Sequence, residues 1–341
     1  MLLIKELCQL RGPSGDEGEV RSFVKEHAAP YCDKIEVDNL GSVICWKYAK
    51  ENKENAKTVY LGAHMDEVGF MVQYVLESGL IRYHTIGGID PAVCVSKRVT
   101  VGKDKVPGVI GCKAIHLQSR DEWESALKHT QLYIDIGAKD KADAMSKVNP
   151  GDYVTFDSDY VEFGKGLVKS RALDDRVGCA VMLELMKHDY PCNVAFCFNV
   201  QEEVGLNGAL ATTFRVKPDV ALVLEGTTAN DTVGAGVHEE VCTVGAGPTI
   251  SFMDRASIAH PKLFERMRAL ATQKNIPWQL KRGVAGGNDA GSVQRTAGGT
   301  ATCAISVPCR YIHSGASVCA LADVDNQYNL VKAFLDEGGE F

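Results

Sequence analysis

Three features are missing from this 341-residue sequence, and each absence removes a class of function. None of its 12 cysteines stands at C-x-x-C spacing, so the usual signature of a structural zinc site or a thioredoxin-like motif is absent. Several cysteines lie inside apolar stretches such as NVAFCFNV and GTATCAISV, which reads as buried free thiols in a reducing compartment. No apolar run approaches the roughly 18 residues that span a bilayer. The opening MLLIKELCQLRG is interrupted by Lys5, Glu6 and Arg11 before a signal-peptide core can form. The expected location is the cytoplasm, with no membrane partner. An excess of basic charge is also missing: 37 Lys and Arg face 44 Asp and Glu, a net charge of −7. Nucleic acid, which rewards a concentrated basic face through counterion release, is not an expected partner.

What remains is ordinary globular composition, 45% hydrophobic and 24% charged, over a length that favours two domains. Two amphipathic patterns, near Leu3 to Leu10 and Gly18 to Ala28, flank the turn-rich GPSGDEGE. KIEVDNLGSVICWKY predicts a strand pair turning at Asn39-Leu40-Gly41, and TVYLGA a short buried strand of the parallel type. From about Val68 to Gly164 the sequence breaks into short β-like runs separated by Gly, Pro and Asp, with one short helix at DKADAMSKV. Helix and strand then alternate to the end: ALDDRVGCAVMLELMKHD, NVAFCFNV, DVALVLEG, HPKLFERMRALATQKN, GTATCAISVP and DVDNQYNLVKAFLDEGG. The predicted fold is α/β, with a mainly parallel sheet formed by residues 1–67 and 165–341 and interrupted by a small inserted β domain, residues 68–164.

In open α/β sheets ligands gather at the carboxyl ends of the strands, and in this chain those ends deliver one kind of chemistry. TVYLGA ends in His64 and Asp66, NVAFCFNVQ in Glu202 and Glu203, and DVALVL in Glu225; TATCAISVPCRY leads to His313, and KSRALDD sets Asp174 and Asp175 at a helix start. Singly each has a plain structural reading, such as a strand-end histidine or a helix-capping acid. Together, several acids facing one crevice repel one another unless a cation neutralises them. Two histidines and three or four carboxylates suit two divalent ions, with one carboxylate bridging and one free as a base. Zinc and cobalt fit such a mixed shell, whereas magnesium or calcium has no need of imidazole.

The segments GAHMDEVGF, SRALDDRVG, QEEVGLNGA, LVLEGT and RYIHS, in this order and at these separations, resemble metallopeptidase family 42. That family holds glutamyl, deblocking and tetrahedral aminopeptidases, some of whose members carry the name cellulase M. PGVIG, YIDIGA, VNPGDYV and GGNDAG extend the resemblance over nearly the whole chain. It implies that His64 and Glu225 share one metal with a bridging Asp174, and that Glu203 and His313 hold the other. Glu202 is then the general base, and Asp66 orients His64. It also implies a cis bond between Asp174 and Asp175, peptide substrates with a free N-terminus, and dimers that assemble into a tetrahedral dodecamer through the inserted domain.

The chain departs from the family pattern at Glu225, where Asp is commoner, at Asn207, where Arg is common, and at Asn288, where Thr is common. His116, His238 and His260 read as structural or interface histidines, and GAGVHEEVCTVGAGP is no dinucleotide-binding turn. Two other functions compete with the peptidase. A glycoside hydrolase needs two carboxylates flanking a sugar bond and no metal, whereas here every candidate acid travels with a histidine or another acid. A non-catalytic assembly protein has no use for an intact ligand set.

Overall fold

A computed structural model describes residues 2–341 except Val237 and Ala285. Its centre is an 11-stranded sheet whose main path runs Lys34–Val37, Val43–Lys47, Asn193–Asn199, Thr58–His64, Val220–Thr228, Ala301–Arg310, Ser317–Ala320, Leu167–Ser170 and Val161–Phe163. The four strands from Asn193–Asn199 to Ala301–Arg310 pair in parallel. They are apolar almost throughout because both faces are covered. Helices Gly18–Ala28, Leu173–Leu185 and Leu321–Asp336 pack on one face over a core containing Leu61, Phe196, Leu222 and Ile305. Helices Asn207–Val216 and Ala290–Arg295 cover the other, over Tyr60, Ala195, Val223 and Ala304.

Register aligns the chemistry. Asn199 pairs with His64 and Glu225 with Ser306, so the acidic loops leave the sheet along one edge. The predicted strand pair at the other side of the sheet forms as expected, because Asp38 Oδ1 accepts the amides of Leu40, Gly41 and Ser42 and closes the turn. Helix Asn207–Val216 has no counterpart in the sequence reading. NGALATTFRV is rich in small and polar residues, yet a parallel crossover between neighbouring layers demands a helix there.

The inserted region closes into a six-stranded barrel, in the order Gly69–Val75, Ile81–Ile86, Tyr133–Asp135, Val106–Gly111, Arg98–Val101 and Tyr153–Phe156. Closure leaves no free edge, and Phe70 fills the interior with Tyr83 and Phe156 packed edge-on against it. Strand Val161–Phe163, which precedes the expected boundary at residue 164, joins the large sheet through Leu167–Ser170. Asp140 caps the short helix Lys141–Met145 by accepting from Asp143 N. His116 sits in a turn of 3-10 helix, where the sequence suggested a β-like run, and a helix that the sequence reading did not expect follows at Arg120–Glu124. Among the described residues no helix is long and apolar enough to cross a membrane.

Candidate metal centre

The strand ends converge as the register requires. His64 Nε2 lies 3.3 Å from Asp174 Oδ1, 3.6 Å from Glu225 Oε2 and 4.0 Å from Glu202 Oε2. His313 Nε2 lies 3.6 Å from Asp174 Oδ2 and 3.3 Å from Glu203 Oε1. Three groups can therefore surround an ion: His64, Asp174 and Glu225; Asp174, Glu203 and His313; and His64, Glu202 and Glu203. Donors on a tetrahedral ion with bonds of about 2.0–2.1 Å stand roughly 3.3–3.4 Å apart, and the His64–Asp174 and His313–Glu203 spacings match. The residues fit a pair of divalent ions in spacing and in donor type.

Local structure fixes the donors. His64 Nδ1 donates to the Asp66 main-chain carbonyl at 3.0 Å, and His313 Nδ1 donates to Gly88 O at 2.8 Å. Both rings thus present Nε2 to the crevice. Asp174 and Asp175 leave helical geometry at the start of helix Leu173–Leu185, and the peptide bond between them is cis. Asp174 Oδ1 also accepts Gly226 N at 3.2 Å. A β-carbon at residue 226 would lie 3.0 Å from Asp174, tight enough that Asp174 would have to give by a few tenths of an ångström, so glycine suits this approach.

Asp175 and Asp66 brace the site in different ways. Asp175 belongs to none of the three groups; its carboxylate accepts His64 N at 3.2 Å and Gly178 N at 3.1 Å, tying the helix to the strand. The Asp66 carboxylate lies 3.5 Å from His64 Nδ1 but bonds more closely to the next loop, accepting Glu202 N at 3.0 Å and Glu203 N at 3.1 Å. His116, His238 and His260 lie outside the three groups.

Burial dominates the electrostatics. It pushes the Glu202 and Glu225 carboxyls well above the usual range and Glu203 up to about 7, with neighbouring acids adding to the effect. Burial also works against charge on the histidines, yet the Asp174 and Glu203 carboxylates with the Gly88 carbonyl lift His313 to about 9, while Asp174, Asp66 and Glu202 lift His64 well above 6.5. Burial likewise opposes ionisation of Asp174, but the two imidazoles hold its carboxyl well below the ordinary value. Among the described residues, the cationic side chains within ion-pair distance of Asp174, Glu202, Glu203 and Glu225 are these two histidines alone.

The M42 glutamyl aminopeptidase profile matches residues 41–330. The chain belongs to that family. The glutamyl aminopeptidase of Lactococcus lactis is 30% identical over 344 residues, which cover 97% of this chain and 94% of that protein. An aminopeptidase from the archaeon Desulfurococcus kamchatkensis has a TM-score of 0.93 at 34% identity, over 98% of this chain and 94% of that one. The TET1 peptidase of Pyrococcus horikoshii, which can assemble into a tetrahedron or a large octahedral shell, has a TM-score of 0.86 at 30% identity, over 98% of both chains. This M42 member is a metal-dependent peptide hydrolase of the aminopeptidase type. That assignment sets aside the glycosidase and non-catalytic readings, and the predicted α/β fold with its inserted β unit agrees with these relatives.

Behind the centre lies a charge cluster that the sequence reading missed. Glu67 accepts Gly12 N at 3.1 Å and pairs with Arg171 Nη1, while Arg176 Nη2 lies 3.6 Å away. Arg176 is fully buried, and its Nε and Nη2 find no hydrogen-bond acceptor, so it relies on Glu67 as its counter-charge. Removing one partner of a buried ion pair costs about 3–5 kcal/mol, because the remaining charge is stranded. The substitution Glu67→Gln is expected to destabilise the fold by that order. The midpoint of chemical denaturation measures it, and an unchanged midpoint would contradict the account.

Proposed function

We propose that this chain is a dinuclear metal aminopeptidase that removes the N-terminal residue from peptides with a free α-amino group. The observation that carries the reading is the division of the Asp174 carboxylate, whose Oδ1 faces His64 and whose Oδ2 faces His313. One side chain can therefore serve two ions. In this reading His64 and Glu225 complete one shell with Asp174, and Glu203 and His313 complete the other. Zinc or cobalt is the metal, since imidazole and carboxylate together suit those ions.

The chemistry such ions supply when bound is polarisation of a carbonyl and a water acidic enough to attack near neutral pH. Glu202 stays outside both shells and serves as the general base, taking the proton of the attacking water and passing it to the leaving amine. Asp66 positions both parts, His64 through its main-chain carbonyl and Glu202 through its carboxylate.

The proposed organisation is a catalytic unit of residues 1–67 and 165–341 interrupted by an inserted unit of residues 68–164, which holds the barrel and ends in strand Val161–Phe163 on the large sheet. The barrel carries none of the ligands, and Ile115, Leu117 and Trp123 beside it are more than 60% exposed. Exposed large apolar side chains of this density mark an interaction surface. They support the barrel as the dimerisation unit, and the assembly of the Pyrococcus horikoshii relative supports a tetrahedral dodecamer built from such dimers. Twelve free cysteines support a reducing, cytoplasmic location.

Three experiments test the proposal. Light scattering at working concentration is expected to show a large homo-oligomer, and a fully active monomer contradicts the assembly. Chelation is expected to abolish cleavage and zinc or cobalt to restore it, with N-acetylated peptides resistant; equal cleavage of blocked and free peptides contradicts the aminopeptidase chemistry. Glu202→Gln is expected to keep both ions while turnover falls roughly 10²- to 10⁴-fold. Glu203→Gln is expected instead to lose metal and to recover in part when metal is added. The opposite pattern exchanges the two roles, making Glu202 the ligand and Glu203 the base.

A further inference from the structure

The turn that carries Glu202 is held from outside by the loop Gly12–Glu17, the GPSGDE motif whose sequence reads only as a connection between two helices. Gln201 precedes the two glutamates with φ +57°, a left-handed conformation that a β-carbon disfavours. Its amide donates to Glu17 Oε1 at 3.2 Å. The next two amides, Glu202 N and Glu203 N, donate to Asp66 Oδ1 and Oδ2. Three successive backbone donors are thus taken up by two buried carboxylates.

Both carboxylates are fixed by the same loop. Ser14 Oγ donates to Asp66 Oδ2 at 2.6 Å, and Gly15 N donates to Glu17 Oε1 at 2.7 Å. Ser14 and Glu17 are only 6% and 2% exposed. The loop is itself anchored: Glu67 N donates to Gly12 O at 2.9 Å and Gly12 N donates back to the Glu67 side chain. At Gly15, with φ +94°, a β-carbon would lie 2.6 Å from Tyr153 Oη of the barrel, so the loop seats only with glycine there.

We infer that Ser14 and Glu17 are positioning residues for catalysis: they set the carboxylates that hold the Gln201–Glu203 backbone, and so fix where the Glu202 carboxylate stands. The inference rests on Glu202 as the general base. Ser14 orients Asp66, while Glu17 holds the strained residue just before Glu202. Neither side chain belongs to a group able to surround a metal ion, so their loss acts on the rate of the chemical step more than on metal or substrate binding.

The test compares Ser14→Ala, Glu17→Ala and Glu17→Gln with Glu202→Gln in the metal-loaded full chain, reading kcat, KM, metal content and melting temperature for each. Ser14→Ala and Glu17→Ala are expected to lower kcat by roughly 10- to 100-fold, with KM and bound metal nearly unchanged and a modestly lowered melting temperature in Glu17→Ala, which leaves two partly buried amides unpaired. Glu17→Gln keeps the Oε1 acceptor and is expected to recover most of the rate lost in Glu17→Ala. Wild-type kcat in Ser14→Ala and Glu17→Ala beside a slow Glu202→Gln overturns the inference alone. Wild-type kcat in Glu202→Gln overturns the base assignment and the inference with it. A fall in kcat that tracks lost metal, or that vanishes when each variant is assayed well below its own melting temperature, assigns the loop a merely structural part and overturns its positioning role.

Discussion

Repulsion among buried carboxylates is the constraint around which this molecule is arranged. Asp174, Glu202, Glu203 and Glu225 meet in one crevice with two imidazoles as their only cationic neighbours among the described residues. Such a set is stable only if protons or cations make up the deficit. The parallel sheet brings the acids together, because all four of its parallel strands end on the same side and the pairing of Asn199 with His64 levels two of the loops. The cost of that convergence falls on the surrounding backbone, which must hold the loops in place against mutual repulsion.

The buried acids divide by what satisfies them. Asp66 takes up two amides and a hydroxyl, Asp175 two amides, Glu17 two amides, and Glu67 an amide and two guanidinium groups. Asp323, buried in the first turn of helix Leu321–Asp336, likewise accepts Gly245 N and Gly247 N at 2.7 Å. These carboxylates each take up at least two donors and serve as internal braces. Glu225 receives only the Asp289 amide, at a long 3.4 Å, and Asp174 a single amide from Gly226. Acceptors left facing one another inside a protein are free for a cation or a proton, and this contrast separates the proposed ligands and base from the five braces.

The same contrast explains what the sequence could reveal. The proposed ligands and base were legible because each is an abrupt charge at the end of an apolar run: His64 after TVYLGA, Glu225 after ALVL, Glu202 and Glu203 after NVAFCFNVQ. The braces were not. Glu17 and Asp175 act on backbone amides, which every sequence supplies, and Ser14 acts on the distant Asp66 carboxylate, so no residue pattern announces the partner. GPSGDE looks like any turn until its carboxylate is seen against Gln201 N. Asp66 was found with its role only half described, since its main chain serves His64 and its carboxylate serves the glutamate turn. Helix Asn207–Val216 escaped notice for another reason: its position is set by crossover geometry, and its small residues carry little apolar periodicity.

The barrel is part of the centre's architecture even though it supplies no donor. Its Gly88 carbonyl takes the Nδ1 proton of His313 and thereby selects the ring nitrogen that faces Asp174 and Glu203. Arg11, one residue before the Gly12–Glu17 loop, reaches into the barrel to Gly102 O and Tyr153 O. One contact sets a histidine on the His313 side of the crevice, and the other anchors the loop that holds the Glu202 turn. A displacement of the barrel relative to the sheet acts on both together. The inserted unit and the catalytic sheet therefore form one mechanical body at the site, and any surface that docks the barrel bears on the geometry of the acids.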